Sequence, residues 1–225
     1  MKKKLLVIEA HSDDSAISIG GFLDKYRDNY EYHFLLVSSS DISFYHCGIL
    51  KRAQRLQEYQ LFIDYFNGVW HRNSPLPFDT ESRMDTLPMI DVVSSIEKVI
   101  QKVRPEVMIF QGPSFHHDHT IVYDAVIAAT RPTARFYPLE MYVAENPTYV
   151  HSKGPQTDFV PDFYISLTQD EMEKKLECFK KFFPSQIRAT GNCLSLEGIH
   201  SWARYRGIEA RCEYAEALRT FIRVI

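Results

Sequence analysis

No stretch of this sequence approaches the ~20 consecutive apolar residues that a helix needs to cross a bilayer, so no membrane span is expected. Three lysines precede an apolar stretch in MKKKLLVIEAHSDD, as in a secretory signal. But only four apolar residues lie between Lys4 and Glu9, against about 7–15 in a signal core, and no small-residue cleavage site follows. The segment reads instead as an opening strand, and a cytoplasmic protein is expected. The four cysteines, Cys47, Cys178, Cys193 and Cys212, are scattered without a CxxC pair. That excludes a cysteine-built zinc site and suits structural thiols in a reducing compartment. Basic residues are not in excess, 26 against 29 acidic, and no long basic run occurs, which argues against nucleic acid as a partner. A glycine-rich turn after the first strand is missing too. His11-Ser12-Asp13-Asp14 stands there, and its carboxylates would repel a pyrophosphate, which disfavours dinucleotide binding.

What the chain does have is alternation. Short apolar runs at 4–10, 32–38 and 106–111 read as strands, and helices are expected at about 48–66, 88–103 and from His119 onward. Between the first two strands, Ile19, Phe22, Leu23 and Tyr26 fall on one helical face, with Gly20-Gly21 where a helix can approach a sheet closely. This pattern predicts parallel strands joined by crossover helices. After Pro132 the segments 135–144 and 159–167 are aromatic-rich and extended; a helix then starts at Thr168 with Asp170 and Glu171 in its first turn, and a last helix is expected over 201–220. With 225 residues and no repeat, low-complexity tract or linker, one domain over 1–225 is expected. Its fold class is α/β: a three-layer α/β/α, Rossmann-like arrangement with a mostly parallel sheet and a smaller aromatic-rich C-terminal extension.

Two clusters carry chemistry. Ala10-His11-Ser12-Asp13-Asp14 follows the first strand, at the strand end where open α/β sheets bind ligands. The same residues also suit a helix cap. His116-His117-Asp118-His119 follows the strand 106–111 and the loop Gly112-Pro113-Ser114; it suits a metal site or a solvated loop. Together they offer imidazoles and carboxylates at two strand ends. Two imidazoles and one carboxylate leave coordination positions open for a water and a carbonyl, as hydrolytic zinc requires. Neighbouring Asp13 and Asp14 diverge, so one is expected to bind metal while the other takes the water's proton. A two-histidine, one-carboxylate set also serves non-haem iron oxygenases, but strand–helix alternation does not fit their β-helical frame.

AHSDD followed by Gly20-Gly21, with HHDH downstream, resembles the LmbE-like, PIG-L-type N-acetylglucosamine deacetylase family, whose signatures are AHxDD and HxDH. Arg55-x-x-Glu58 resembles that family's RxxE, Phe183 to Gln186 its helix-ending SQ, and Arg206-Gly207 with Tyr214-Ala215-Glu216 its RG and YAE. Ser12 in place of proline, Ser15 in place of glutamate, and Ser38-Ser39-Ser40-Asp41 in place of a Thr-x-Gly-type turn depart from the pattern.

The resemblance implies that His11, Asp14 and His119 bind the metal, zinc or alternatively ferrous iron, and that Asp13 is the general base. It implies that His116 stabilises the oxyanion or protonates the amine, with Asp118 orienting His116. Arg55 is expected to contact sugar hydroxyls and Glu58 to hold Arg55, while Arg206 and Tyr214 are expected to be structural. His117 occupies a variable position. The implied reaction is removal of an acetyl group from the nitrogen of a small-molecule N-acetyl amino sugar conjugate, in a chain whose relatives are often homo-oligomers. Two rival readings are a non-catalytic sugar- or nucleotide-binding homologue and a metal-dependent phosphoesterase. Residues 146–158, polar and containing Pro147, Gly154 and Pro155, are expected to form a lid. Phe115, Tyr137, Tyr142 and Trp202 suit a sugar-stacking wall but are read as core.

Overall fold

The segment Lys3–Glu9 is apolar on both faces: Leu5 and Val7 pack into one core, Leu6 and Ile8 into another. Alternate residues of a strand point to opposite sides, so such a strand is stable only with cover on both. The computed structural model, which describes residues 2–72, 74–148 and 159–224, supplies that cover. Along the chain the elements are β1 (Lys3–Glu9), α1 (Asp14–Lys25), β2 (Tyr30–Leu36), β3 (Ile42–Phe44), β4 (Gly48–Leu50), α2 (Arg52–Tyr65), β5 (Val69–Trp70) and α3 (Met89–Val103). They continue with β6 (Val107–Gln111), α4 (His117–Ala129), β7 (Glu140–Ala144), β8 (Phe163–Leu167), α5 (Gln169–Phe182), α6 (Leu196–Ala210) and β9 (Tyr214–Arg223).

Seven strands form one sheet in the order β5-β2-β1-β6-β7-β9-β8; β3 and β4 form a separate hairpin. The pairs from β5 to β7 are parallel, and β9 is antiparallel to both β7 and β8. Residues of α1, α2, α5 and α6 pack on one face, and those of α3 and α4 on the other. The chain builds from β1 outward to β2 and β5, then returns through α3 to β6 on the opposite side of β1. Strand order therefore reverses between β1 and β6, and crevices beyond the carboxyl ends of strands at such a reversal are where α/β sheets bind ligands.

The close approach expected at Gly20-Gly21 occurs at Gly21, where a Cβ would sit 2.5 Å from Leu167 of β8. The Glu216 carboxylate meets the same spot, accepting from the backbone N–H groups of Gly21 and Phe22 at 2.7 Å. Those donors lie just past Ile19, whose non-helical backbone (φ −134°) interrupts α1. Glu216 is also paired with buried Lys175 at 2.7 Å. The helix expected to start at Thr168 does so with a reciprocal cap between Thr168 and Glu171.

Two expected boundaries are corrected. The single helix read over 201–220 is instead α6, ending at Ala210, and β9. Arg211 turns the chain in the left-handed conformation (φ 58°), and pairing with β7 and β8 then overrides the helical preferences of Ala215, Glu216, Ala217, Leu218 and Arg219. The helix read from Gly48 starts at Arg52, because residues 48–50 pair with 42–44 and Asp41 Oδ1 accepts from the Arg52 N–H at 2.7 Å. No helix among the described residues is long and apolar enough to cross a membrane.

Candidate metal centre

His11 lies just past β1 and His119 in the first turn of α4, just past β6, so the two motifs meet at the strand-order reversal. His11 Nδ1 lies 3.1 Å from His119 Nε2, which is 3.3 Å from Asp14 Oδ1; the other oxygen of Asp14 is 3.9 Å from His11 Nδ1. Four ligands held tetrahedrally at zinc's ~2.0–2.1 Å bond lengths lie about 3.3 Å apart, so the three donors fit one ion. A second possible group, His11, His116 and Asp118, shares His11 with the first.

The far sides of these rings are held. His11 Nε2 lies 3.0 Å from Asp118 Oδ2, and His119 Nδ1 lies 2.9 Å from Ser114 Oγ. With each outer nitrogen donating its proton, the lone pairs of His11 Nδ1 and His119 Nε2 converge beside a carboxylate. Such lone pairs repel one another unless a proton or a cation lies between them. The field agrees: burial alone would lower the pKa of His11, but Glu81, Asp118 and Asp14 outweigh it and raise it to about 9. Asp14 shows the complementary effect, held down at about 2 by His119 and His11 against the opposing effect of burial. Asn146, just past β7, donates to Asp14 Oδ1 at 3.1 Å.

The cap reading of the first motif is not realised by Asp13, which stands at the N-cap of α1 without a side-chain capping bond. Glu9 does part of that work, accepting from the Ser15 N–H at 2.8 Å and from the Tyr59 hydroxyl at 2.5 Å. Full burial pushes Glu9 up to about 8. Asp13 instead faces the pocket; burial and neighbouring Asp14 raise it to about 6, against the pull of Arg55 and His11. His116 caps α4, its Nδ1 accepting from the Asp118 N–H at 3.3 Å, and burial with the nearby rings of His11 and His119 lowers it to about 4. With Nδ1 accepting from the backbone, it is Nε2 that remains to face a ligand in the pocket.

Two expected partnerships take a different form. Asp118, expected to orient His116, meets it through its backbone N–H, while its carboxylate bonds to His11 and accepts from the Ser82 and Met84 N–H groups at 2.6 and 3.3 Å. Glu58 was expected to hold Arg55; it accepts from Ser185 and Gln54, while buried Arg55 pairs with Glu81 and donates to the Ser40 carbonyl at 3.2 Å. The Ser38–Asp41 departure thus lies under Arg55, with Ser40 bonded to Glu81 in both directions. Arg206, expected to be structural, pairs with buried Glu145 and with Glu209.

The donors open into a pocket of about 290 Å³ lined by His11, Asp13, Asp14, Arg55, Glu81 and His116, with Ile42, Ser43, Phe44, Asn146, Gln186 and Arg188 on its other walls. None of Phe115, Tyr137, Tyr142 and Trp202 lines it. Of the expected lid, residues 149–158 lie outside the described residues; Asn146 and Thr148 line the pocket. Glu81, Asn146 and Arg188 carried no motif in the sequence.

The fold and this buried cluster define an α/β protein with a candidate metal centre of two histidines and one aspartate. The chain belongs to the PIG-L family, described as GlcNAc-PI de-N-acetylase, whose sequence profile matches residues 6–130. Its structure is similar to that of the 4-carboxy-2-hydroxymuconate hydratase GalB from Pseudomonas putida KT2440 (TM-score 0.71, 18% identity, covering 100% of this chain and 98% of that one). It is also similar to the zinc-inhibited form of the teicoplanin deacetylase Orf2 (0.69, 14%, 96% and 97%). A third similar structure is the N,N'-diacetylchitobiose deacetylase from Pyrococcus horikoshii (0.67, 18%, 97% and 84%). At these identities the likeness is one of fold. No curated protein sequence matches the chain.

Proposed function

We propose that this chain is a metal-dependent hydrolase that removes the acetyl group from the nitrogen of an N-acetylated amino sugar. The observation that carries the reading is the convergence of His11 Nδ1, His119 Nε2 and the Asp14 carboxylate, 3.1 to 3.9 Å apart, in a pocket that also exposes Asp13 and His116. Membership of a deacetylase family supports it.

In this reading His11, Asp14 and His119 hold a divalent ion, zinc or ferrous iron, which when bound polarises a carbonyl and lowers the pKa of water to about 7. Asp13, next to a ligand but not needed as one, takes the proton of the attacking water as its oxygen adds to the acetyl carbon. His116 donates through Nε2–H to the carbonyl oxygen, where negative charge develops. The C–N bond then breaks, the amine nitrogen receives the proton that Asp13 took from the water, and acetate leaves with the free amino sugar. Asp118 and Asn146 act through the ligands, fixing His11 and Asp14. Arg55, neutralised by Glu81, offers hydrogen bonds to sugar hydroxyls from the pocket wall.

The test is acetate release from a panel of N-acetylglucosamine conjugates, with the wild type compared to Asp13→Asn and His116→Gln. Release by the wild type and its loss in both variants is expected. A hydratase shares this fold, so acetate itself is the discriminating product. No acetate from any N-acetyl sugar by the metal-loaded wild type overturns the reading.

A further inference from the structure

The pocket wall contains two guanidinium groups in different electrostatic situations. Arg55 is buried and paired with Glu81. Arg188, only partly buried, has no carboxylate partner among the described residues. Its Nη1 donates to the Gln186 carbonyl at 2.7 Å and the Ser185 carbonyl at 3.4 Å, and lies 2.7 Å from His46 Nε2. Its guanidinium carbon stands 4.8 Å from the centre of the Phe44 ring. Two backbone carbonyls and an aromatic face position this cation without cancelling its charge.

All of these hydrogen bonds use Nη1, so the parallel N–H pair on Nε and Nη2 has no partner among the described residues. That edge of the fork matches two oxygens of a carboxylate or phosphate. Of the acidic groups of the pocket, Asp14 is engaged with His11, His119 and Asn146, and Glu81 with Arg55 and Ser40, while Asp13 faces the pocket beside the metal ligands of the proposed reading. At about 290 Å³ the pocket lies just below the ~300–1,000 Å³ usual for ligand sites, which suits one sugar ring with a short substituent.

We propose that Arg188 is a specificity-determining residue that binds an anionic group, a carboxylate or a phosphate, carried by the substrate away from its acetamide. This rests on the hydrolase reading of the same pocket and adds the class of amino sugar it takes. The hairpin β3–β4 belongs to this subsite, since Ile42, Ser43 and Phe44 share the wall with Arg188 and His46 contacts its guanidinium.

The experiment compares kcat/KM for acetate release from three matched sugars: methyl N-acetylglucosaminide, its carboxymethyl counterpart and N-acetylglucosamine 1-phosphate. The wild type is expected to prefer at least one anionic sugar by about tenfold to a hundredfold, as a charge-assisted hydrogen-bonded contact does. Which anion is preferred identifies its source. The preference should collapse toward one in Arg188→Gln and be largely kept in Arg188→Lys. A wild-type ratio at or below one overturns the proposal without any variant, as does an undiminished ratio in a folded Arg188→Gln. If the wild type hydrolyses none of the three, the neutral sugar included, the hydrolase reading fails and calorimetric binding decides the inference on its own. Tighter binding of an anionic sugar to the wild type than to Arg188→Gln supports Arg188, and equal binding contradicts it.

Discussion

The carboxylate of Asp118 lies 3.0 Å from Nε2 of His11, so the second motif fixes a ring belonging to the first. Asp118 is anchored from behind by the N–H groups of Ser82 and Met84, which hold it in place as His11 takes its orientation. In the proposed reading His11 is a metal ligand, and replacing such a partner of a ligating histidine typically lowers metal affinity about 10–100-fold. That loss is expected for Asp118→Ala in competition with a chromophoric chelator. Affinity equal to the wild type would limit Asp118 to a role at His116.

Asp13 is separated from the three donors by function in this account, although it adjoins Asp14 in sequence. Asp13→Asn is expected to lower kcat by about 10²–10⁴, the range of general acid–base catalysis, while bound metal per chain stays at the wild-type level. Parallel loss of metal and activity would make Asp13 a ligand instead.

Glu216 joins the end of the chain to α1, with two backbone donors and buried Lys175 on a single carboxylate. Glu216→Ala leaves Lys175 buried without its partner, and breaking such a pair costs about 3–5 kcal/mol. Urea denaturation measures the loss. Combining Glu216→Ala with Lys175→Met should recover part of it, because no buried charge is then left unpaired.

A pH effect is expected away from the pocket. His33 Nδ1 lies 3.0 Å from His71 Nε2, and burial lowers the pKa of both, that of His71 to about 4. Above the unfolded value of about 6.5 both states are neutral and the pair leaves stability independent of pH. Between about 6.5 and 4 the unfolded chain binds a proton at His71 that the folded chain refuses, so stability falls as pH falls, by at most about 1.4 kcal/mol per unit. The stability difference between the wild type and His71→Gln should therefore be constant above pH ~6.5 and shift in favour of the variant below it. A difference that does not change with pH would contradict this.

The legible parts of the molecule were local. AHSDD and HHDH each follow a strand that announces itself by an apolar run, and Gly20-Gly21 marks a helix that meets the sheet. Glu81, Asn146 and Arg188 reach the pocket from loops, where no periodicity points to a destination, and Arg55 met Glu81 rather than the Glu58 beside it in sequence. Residues 201–220 show the limit of propensity. Neither glycine nor proline marks the turn at Arg211, and the start of β9 is built from residues that favour helices. Only its place between β7 and β8 makes it a strand.

In the proposed site His11, Asp14 and His119 together hold one divalent ion, and equilibrium dialysis of the purified chain against zinc, with the metal counted per folded chain, measures this. One tightly held zinc is expected in the wild type, and loss of that ion in His119→Ala and Asp14→Ala variants that remain folded. A wild type that binds no zinc and no ferrous iron, or variants that keep the ion with unchanged affinity, would contradict it.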